Sequence, residues 1–315
     1  TVSKKETNRF NKKIKFITPK SLYWSKVNKK IKYLVCLYLL LIEIIKNKKI
    51  LVFCFQANIY CTLLCKFFGI KIVVRSNSSP SGWGKGFIKK FIFKNLLGLS
   101  DNIIVNSTDF KKELKTRFNL DSVCIYNPLN IKEIIYKSKK KLPFKFFTDN
   151  KKLKIVNVAR FTDQKDHMSL LKAVKILKNK INLDVLIIGR GVNLDLMKSF
   201  INLNNLRKQV KIINFQNNPF PIINKSDVFV LTSRFEGLPN VLLESLALKK
   251  FIISTDCPTG PREILDGGKN GFLFKVGDYE DLSKKIILYN NNKKKLYKKI
   301  FNGHKRLDRF SFNKN

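Results

Sequence analysis

A chain of 315 residues is long for one compact domain and comfortable for two domains of about 150 residues each. Its 44% hydrophobic content, with 26 Phe, is enough to build real cores and excludes a wholly disordered protein. The formal net charge of +41 favours an anionic partner, and no acidic residue occurs between Glu43 and Asp101.

Two interpretations of this charge stay open. Lys outnumbers Arg by 53 to 10, and Asn and Ile are abundant throughout, as an A/T-biased coding sequence would give. The other interpretation is attraction to an anionic membrane surface. A nucleic-acid interface is disfavoured, because the planar guanidinium of Arg reads phosphates and base edges in two-point contacts that Lys cannot make. We therefore expect no nucleic-acid partner.

The first strongly apolar run covers residues 33–42 and is followed by Glu43 and Lys46. A bilayer span needs about 20 apolar residues, so this run predicts a buried helix or a helix that touches a membrane surface. No signal peptide is recognisable. Because the chain opens at Thr1 and not at Met, we expect the first domain to be truncated at its start.

The cysteines lie mostly inside apolar runs. Cys61 and Cys65 could share one helical face, but no His lies near them to complete a metal site. The pattern predicts buried free thiols in a reducing cytoplasm.

Short apolar runs alternate with helical patterns through the first half. The predicted strands are 49–55, 70–74, 102–106 and 123–126. A helix is expected over 59–68, and another begins near Thr108 with Ser107 as its N-cap. Short apolar strands separated by helices predict a parallel sheet covered on both faces.

The pattern breaks down over residues 137–150, a candidate linker, and then restarts. Strands are predicted at 154–158, 183–188, 210–213, 228–232 and 251–254, and helices at 168–178, 194–201, 240–248 and 279–289. We predict an α/β protein of two Rossmann-like domains facing a cleft. Residues 1–145 would form the N-terminal domain and residues 146–315 the C-terminal domain. Open sheets of this kind bind ligands beyond the carboxyl ends of their strands.

The most informative stretch is 228–244, where a buried strand ends, a Gly/Pro turn follows and a helix begins near Asn240. The unpaired N–H groups and positive dipole of a helix start favour an anion such as a diphosphate. Glu236 and Glu244 flank this helix start and could grip hydroxyls on two parts of one extended ligand. From spacing alone, a solvated loop acid and a surface helix acid explain the pair as well.

The two Glu, with seven residues between them, lie in Ser-Arg-Phe-Glu-Gly-Leu-Pro-Asn-Val-Leu-Leu-Glu. This segment resembles the signature of the retaining glycosyltransferases of family 4, whose fold is the two-Rossmann-domain GT-B type. The resemblance implies that Glu236 contacts the donor sugar and that Glu244 holds the ribose hydroxyls. It also implies that a stretch of backbone cradles the donor phosphates, namely Gly237, Leu238, Pro239, Asn240 and Val241.

A second segment, Asn-Val-Ala-Arg-Phe-Thr-Asp-Gln-Lys at 157–165, resembles the first strand of the family's second domain. There an Arg and a Lys neutralise the nucleotide diphosphate, roles that fall on Arg160 and Lys165. Fixed cations stabilise the negative charge that grows on a leaving diphosphate. Two residues depart from the family, which usually has Gly at the position of Ala159 and often has Gly after the Lys, at the position of Asp166.

Weaker resemblances occur elsewhere. Gly189 belongs to a Gly-Arg-Gly that resembles the family's Gly-x-Gly turn, although a plain tight turn explains it equally well. Thr259 and Gly260 lie in a segment that resembles a later donor-side loop. In the first half, Arg75 and Asn77 occupy the place of a loop that faces the cleft, but the family's Gly-rich loop and cleft His are not recognisable there.

The resemblance predicts a retaining glycosyltransferase that moves a hexose or N-acetylhexosamine from a nucleotide sugar, with UDP as the implied carrier. The acceptor would be a glycan or lipid-linked glycan of surface-polysaccharide or lipopolysaccharide assembly. We predict no cofactor and no metal, since no Asp-x-Asp occurs. The expected location is cytoplasmic, peripheral at the inner face of the cell membrane. Two alternatives stay open: a sugar-nucleotide epimerase of the same architecture, and a catalytically inactive protein that binds membranes or polyanions.

Overall fold

In the computed structural model, the described residues are 13–17, 27–55, 57–77, 79, 86–141 and 146–314. The chain folds into two compact units. The smaller unit lies within 1–76, 83–104 and 120–123, and the larger one comprises 77–82, 105–119 and 124–315. The larger unit therefore includes segments from the first half of the chain. The assignment of acceptor and donor roles to residues 1–145 and 146–315 stays a prediction.

Helices and strands alternate through the first half of the chain. In order they are α1 Lys29–Lys46, β1 Leu51–Cys54, α2 Asn58–Phe67, β2 Lys71–Ser76, α3 Phe87–Gly98, β3 Asn102–Val105, α4 Thr108–Phe118, β4 Val123–Cys124 and α5 Ile131–Ser138. The four strands form one sheet in the order β1-β2-β3-β4, and β1 runs parallel to β2.

The alternation continues in the second half, with a short 3-10 turn at Asp163–Lys165. The elements are β5 Leu153–Val158, α6 His167–Leu177, β6 Leu183–Gly189, α7 Leu194–Leu203, β7 Val210–Asn214, α8 Phe220–Lys225, β8 Val228–Leu231, α9 Asn240–Ala247, β9 Phe251–Thr255, α10 Pro261–Ile264, β10 Phe272–Phe274, α11 Tyr279–Asn291 and α12 Lys293–Lys305. The six strands pair in parallel in the order β10-β9-β8-β5-β6-β7.

Both faces of the six-stranded sheet are buried, because successive side chains of a strand point to opposite faces. On β5, Ile155 packs into one apolar cluster with helices α6, α7 and α11, and Val156 packs into a second cluster with α8 and α9. The second cluster also takes in Ile134 of α5. This layered arrangement confirms the predicted α/β class and brings the carboxyl ends of β5, β8 and β9 to one edge.

The apolar run at 33–42 is part of α1, which Asn28 caps by accepting a hydrogen bond from the backbone N–H of Lys30. Among the described side chains of this helix only Ile44 is buried, so the prediction of a buried helix is wrong for most of its length. No helix in the described part of the chain is both long and apolar enough to cross a membrane.

The predicted linker at 137–150 begins too early, because α5 continues through Ser138. Asn130 caps that helix by accepting a hydrogen bond from the backbone N–H of Glu133, and Ile134 anchors it in the core. The six cysteines, all within the described ranges, form no disulfide; Cys54, Cys65 and Cys257 are buried, and the other three are half-buried.

Candidate active site

The predicted site residues lie in the larger unit, in the segments that follow β5, β6 and β8. After β5 the chain passes through Arg160, which is exposed, into the 3-10 turn that ends at Lys165. The Thr232 hydroxyl, just beyond β8, donates to the carbonyl oxygen of Lys165 at 2.8 Å. Because β5 and β8 are neighbours in the sheet, the two segments meet at its carboxyl edge.

Lys165 and Glu236 form an ion pair, with Nζ 2.5 Å from Oε1. Only 15% of the Lys165 side chain and 9% of the Glu236 side chain are exposed. An ion pair shielded from water interacts more strongly than one on the surface. We predicted three catalytic residues, Glu236, Arg160 and Lys165, and the structure brings Glu236 and Lys165 together.

Arg160 is connected to the loop of Glu236 through Gln164. Its Nη2 lies 3.4 Å from Oε1 of Gln164, and Gln164 in turn donates from Nε2 to the carbonyl oxygen of Phe235 at 2.9 Å. Gln164 also accepts, through its backbone oxygen, a hydrogen bond from the N–H of Arg234 at 2.8 Å. Sequence reasoning missed Gln164, since a single loop Gln carries no recognisable signal.

The loop around Glu236 is also held from the side of β9. The Thr259 hydroxyl donates to the carbonyl oxygen of Glu236 at 2.7 Å, and the backbone N–H of Ser79 donates to the same oxygen at 3.2 Å. Burial raises the pKa of the neighbouring Cys257 thiol to about 12, and the Glu236 charge contributes. That thiol therefore stays neutral and adds no charge beside the ion pair.

Gly237 is a glycine because the backbone approaches it closely. A Cβ at this position would lie 2.3 Å from the Asn77 carbonyl oxygen and 2.9 Å from Oδ1 of Asn106. Gly260, with φ +91°, also lies close to this loop, because a Cβ on Gly260 would lie 2.4 Å from the Gly237 carbonyl oxygen. Asn77 was a weak sequence candidate and lies at the site. Arg75 belongs to the smaller unit, and its carbonyl oxygen accepts a hydrogen bond from Asn58.

The predicted phosphate cradle is the start of helix α9. Leu238 and Pro239 are buried, Asn240 is exposed and Val241 is half-buried. Pro239 is the N-cap residue, and no side chain caps the helix. The backbone N–H of Leu242 donates to the Pro239 carbonyl oxygen at 3.0 Å. The N–H groups of Asn240 and Val241, which precede it in the first turn, have no intrahelical acceptor and can bind an anionic ligand.

Glu244 lies one turn further along α9 and does not share the Lys165 contact. It lines a pocket of about 210 Å³ with Asn127, Pro128, Leu129, Asn130, Glu133, Ile134, Lys137, Phe220, Asn240 and Leu243. Burial raises the pKa of the Glu244 carboxyl to about 7. A carboxyl group in such a pocket can hydrogen-bond to hydroxyl groups of a ligand in either protonation state.

Gly189 has a structural explanation. A Cβ on it would lie 1.9 Å from the Ala159 carbonyl oxygen, so the last residue of β6 packs directly on the segment after β5. Gly191, two residues further on, has φ +156°. A Cβ on Gly191 would lie 2.3 Å from the Phe161 carbonyl oxygen. Close packing of the backbone therefore accounts for a glycine at position 189, and contact of Gly189 with a ligand stays a prediction.

His167 follows the Lys165 turn at the start of α6 and is buried. Burial, with a smaller effect of the Lys165 charge, lowers the pKa of His167 to about 4, so the ring is neutral at pH 7. Its edge packs against the Phe161 ring, with 5.2 Å between the centroids. Within the described ranges, no cluster of His, Cys, Asp and Glu could hold a metal ion.

The match to a family model falls on the part of the chain that carries this site. The model of the glycosyl transferases group 1 matches residues 138–306, more than half of the chain. An uncharacterized glycosyltransferase of Methanocaldococcus jannaschii is 32% identical over 202 residues, or 61% of this chain and 49% of the relative. The chain thus spans about half the length of that relative.

A relative from Campylobacter jejuni carries a specific name. It is the N-acetylgalactosamine-N,N'-diacetylbacillosaminyl-diphospho-undecaprenol 4-alpha-N-acetylgalactosaminyltransferase, and it is 29% identical over 251 residues, or 76% of this chain and 67% of the relative. Among solved structures, Anabaena HepE in complex with UDP superposes with a TM-score of 0.71 at 16% identity, covering 87% of this chain and 78% of that one. This likeness shows that the fold is that of the GT-B glycosyltransferases.

Proposed function

The chain belongs to the group 1 glycosyl transferases, and from this membership we propose that it transfers a sugar from a nucleotide sugar to a glycan or lipid-linked glycan. The observation that carries the proposal is the ion pair of Lys165 and Glu236 beside a helix start that no side chain caps. A cation and free N–H groups suit a diphosphate, and a carboxylate suits sugar hydroxyls.

In the proposed mechanism, Glu236 contacts the donor sugar, and Lys165 and Arg160 stabilise the diphosphate. The Lys165 ammonium has three N–H donors, and Glu236 takes one of them. The other two can reach phosphate oxygens while the pair persists. As the bond from the anomeric carbon to the phosphate oxygen breaks, negative charge collects on that oxygen, and the nearby cations lower the barrier.

We propose that transfer retains the configuration at the anomeric carbon. The acceptor hydroxyl attacks the face from which the nucleotide leaves, and the departing phosphate oxygen takes the acceptor proton. No separate base is then required. The carboxyl group of Glu244, in its own pocket, would hold the ribose hydroxyls of the donor.

The proposed donor is a UDP-sugar carrying a hexose or N-acetylhexosamine, and the proposed acceptor is a glycan or a lipid-linked glycan. The solved complex of HepE with UDP and the undecaprenol-linked substrate in the Campylobacter enzyme's name support these choices. No metal or cofactor is part of the proposal.

We also propose that the protein works at the anionic inner face of the cell membrane. The net charge of +41 supports this location. Helix α1 adds exposed apolar side chains at Ile31, Leu34, Tyr38 and Ile45, a spacing that places them along one stripe of the helix. Lys30 and Lys46 lie near its two ends, and both are exposed.

The experiment is a binding screen of nucleotide sugars followed by transfer assays on membrane lipid extracts. Saturable binding of one donor, and a glycosylated product formed only with an acceptor, would support the proposal. Conversion of the donor sugar to its epimer without an acceptor would identify an epimerase instead. Binding to anionic vesicles without any nucleotide-sugar binding would point to an inactive membrane-binding protein.

A further inference from the structure

Glu236 lies in the loop after β8, and β8 lies between β5 and β9 in the sheet. Each of these neighbouring strands is followed by a segment that supplies one side-chain donor to the Glu236 loop. From the β5 side, Nε2 of Gln164 donates to the Phe235 carbonyl oxygen at 2.9 Å. From the β9 side, the Thr259 hydroxyl donates to the Glu236 carbonyl oxygen at 2.7 Å.

Two consecutive carbonyl groups of the loop are thus fixed by side chains that arrive from opposite directions. The position of a peptide carbonyl sets the backbone at the residue that carries the carboxylate. We propose that Gln164 and Thr259 are positioning residues, which hold the Glu236 carboxylate where it meets Lys165 and the donor sugar. This inference rests on the proposed function for the identity of the donor.

The backbone conformation of Thr259 supports its role as a positioning residue. Thr259 has φ +62°, in the left-handed region, where a β-branched residue is a genuine outlier. Such strain persists where the surrounding structure over-determines it, and it is concentrated at functional sites. Gly260, the next residue, abuts the Gly237 carbonyl, so the strained segment is pressed against the loop that it holds.

Gln164 makes a second connection. Its Oε1 lies 3.4 Å from Arg160, and its backbone oxygen accepts the N–H of Arg234. The same residue therefore links the exposed Arg160 to the loop of Glu236. A change at Gln164 should disturb both the carboxylate and the guanidinium, whereas a change at Thr259 should disturb the carboxylate alone.

The test uses substitutions that keep the approximate shape of the side chain and remove its hydrogen-bond donor, together with one substitution that retains the donor. Thr259→Val removes the hydroxyl and keeps the β-branch, and Thr259→Ser keeps the hydroxyl. Gln164→Met removes the amide and keeps the chain length. Two controls remove equivalent donors away from the loop: Thr116→Val, whose hydroxyl donates to Lys112, and Gln216→Met, whose amide donates to Asn214.

The first measurement is backbone amide exchange in residues 233–241, with the melting temperature as a check on the global fold. We expect Thr259→Val and Gln164→Met each to raise exchange in this segment about fivefold to tenfold, the effect of losing one hydrogen bond. Thr259→Ser and both controls should match the wild type. Wild-type exchange in Thr259→Val, or equal losses in the Ser and Val variants, would overturn the inference.

The second measurement is initial-rate kinetics with the donor found in the nucleotide-sugar screen. Thr259→Val should lower kcat about tenfold with the acceptor KM unchanged, and Thr259→Ser should restore it. Faster loop exchange with wild-type kcat would refute the positioning role. If the wild-type protein binds and transfers no sugar, the proposed function fails, and the exchange data still decide whether the two side chains hold the loop.

Discussion

Lys165 and Glu236 are 71 residues apart in the chain, and their charged groups meet at 2.5 Å. The contact depends on the pairing of β5 with β8, which places the segments after both strands at one edge of the sheet. It puts an ammonium and a carboxylate within reach of one ligand, as the proposed site for a sugar joined to a diphosphate requires.

Replacing the carboxylate of Glu236 tests its role most directly. Glu236→Gln keeps the size of the side chain and removes its charge. We expect the rate of sugar transfer to fall by about a hundredfold or more, the size of effect seen when one preorganised electrostatic group is lost. Steady-state assays with the donor from the binding screen measure it.

The matched control is Glu280→Gln, because Glu280 is an exposed acid in the first turn of α11. It should transfer sugar at the wild-type rate. Near-wild-type transfer by Glu236→Gln would remove Glu236 from the catalytic machinery.

Gly237→Ala tests the close backbone approach at the loop. The new Cβ would lie 2.3 Å from a backbone oxygen, so the loop or the Asn77 segment must move. We expect a loss of about 1–3 kcal/mol in the free energy of unfolding, together with loss of transfer. Chemical denaturation and the transfer assay report the two effects separately.

Gly98→Ala is the corresponding control, since its Cβ would meet only the end of the Leu120 side chain, at 3.1 Å, in the last turn of helix α3. Ala is favoured over Gly in helices, so stability should be unchanged or slightly higher. If Gly237→Ala behaved like this control, the close approach would not matter for the site.

Much of this architecture could be predicted from local signals. Short apolar strands ended by Gly, Pro or Asn indicated the α/β class, and the Glu236 segment with the Arg160–Lys165 segment indicated the candidate site. Sheet order was not accessible, because no local pattern says that β8 lies between β5 and β9. The supporting role of Gln164 therefore emerges only in the folded chain.

Two other features were beyond the sequence patterns. Helix α5 was not predicted, although Asn130 is a good N-cap and Ile134 supplies its buried face. The approach of Asn77 and Asn106 to Gly237 is a contact between distant segments. A glycine in a loop is compatible with several turn types. The sequence alone does not show which backbone segment packs against it in the folded chain.

The pKa of Glu244 predicts a dependence of stability on pH. Burial raises this pKa in the folded state from 4.5 to about 7, so the folded protein holds the proton more tightly than the unfolded chain. The contribution of the Glu244 carboxyl to the free energy of unfolding is fully present below pH 4.5 and is lost as the pH rises through about 7. Because Glu244 is only partly buried, we expect a loss of about 1–2 kcal/mol.

Urea unfolding of the wild type and of Glu244→Gln at about pH 5 and about pH 8 measures this difference. The wild type should lose more stability than the variant between the two values, since Gln does not titrate. Parallel pH profiles would show that the Glu244 carboxyl is solvated. If the pocket holds the ribose, Glu244→Gln should also weaken binding of the donor nucleotide.

The exposed stripe of α1 predicts binding to anionic membranes. The Leu34 side chain is 67% exposed, and replacing it by Asn removes apolar surface without changing charge. We expect Leu34→Asn to reduce co-sedimentation with phosphatidylglycerol vesicles several-fold, and added salt to weaken the binding of wild type and variant alike. Leu203→Asn is the control, because Leu203 is 82% exposed at the end of α7, far along the chain from the stripe. Equal losses in the two variants would mean that the apolar contribution is general and that α1 does not provide the membrane contact.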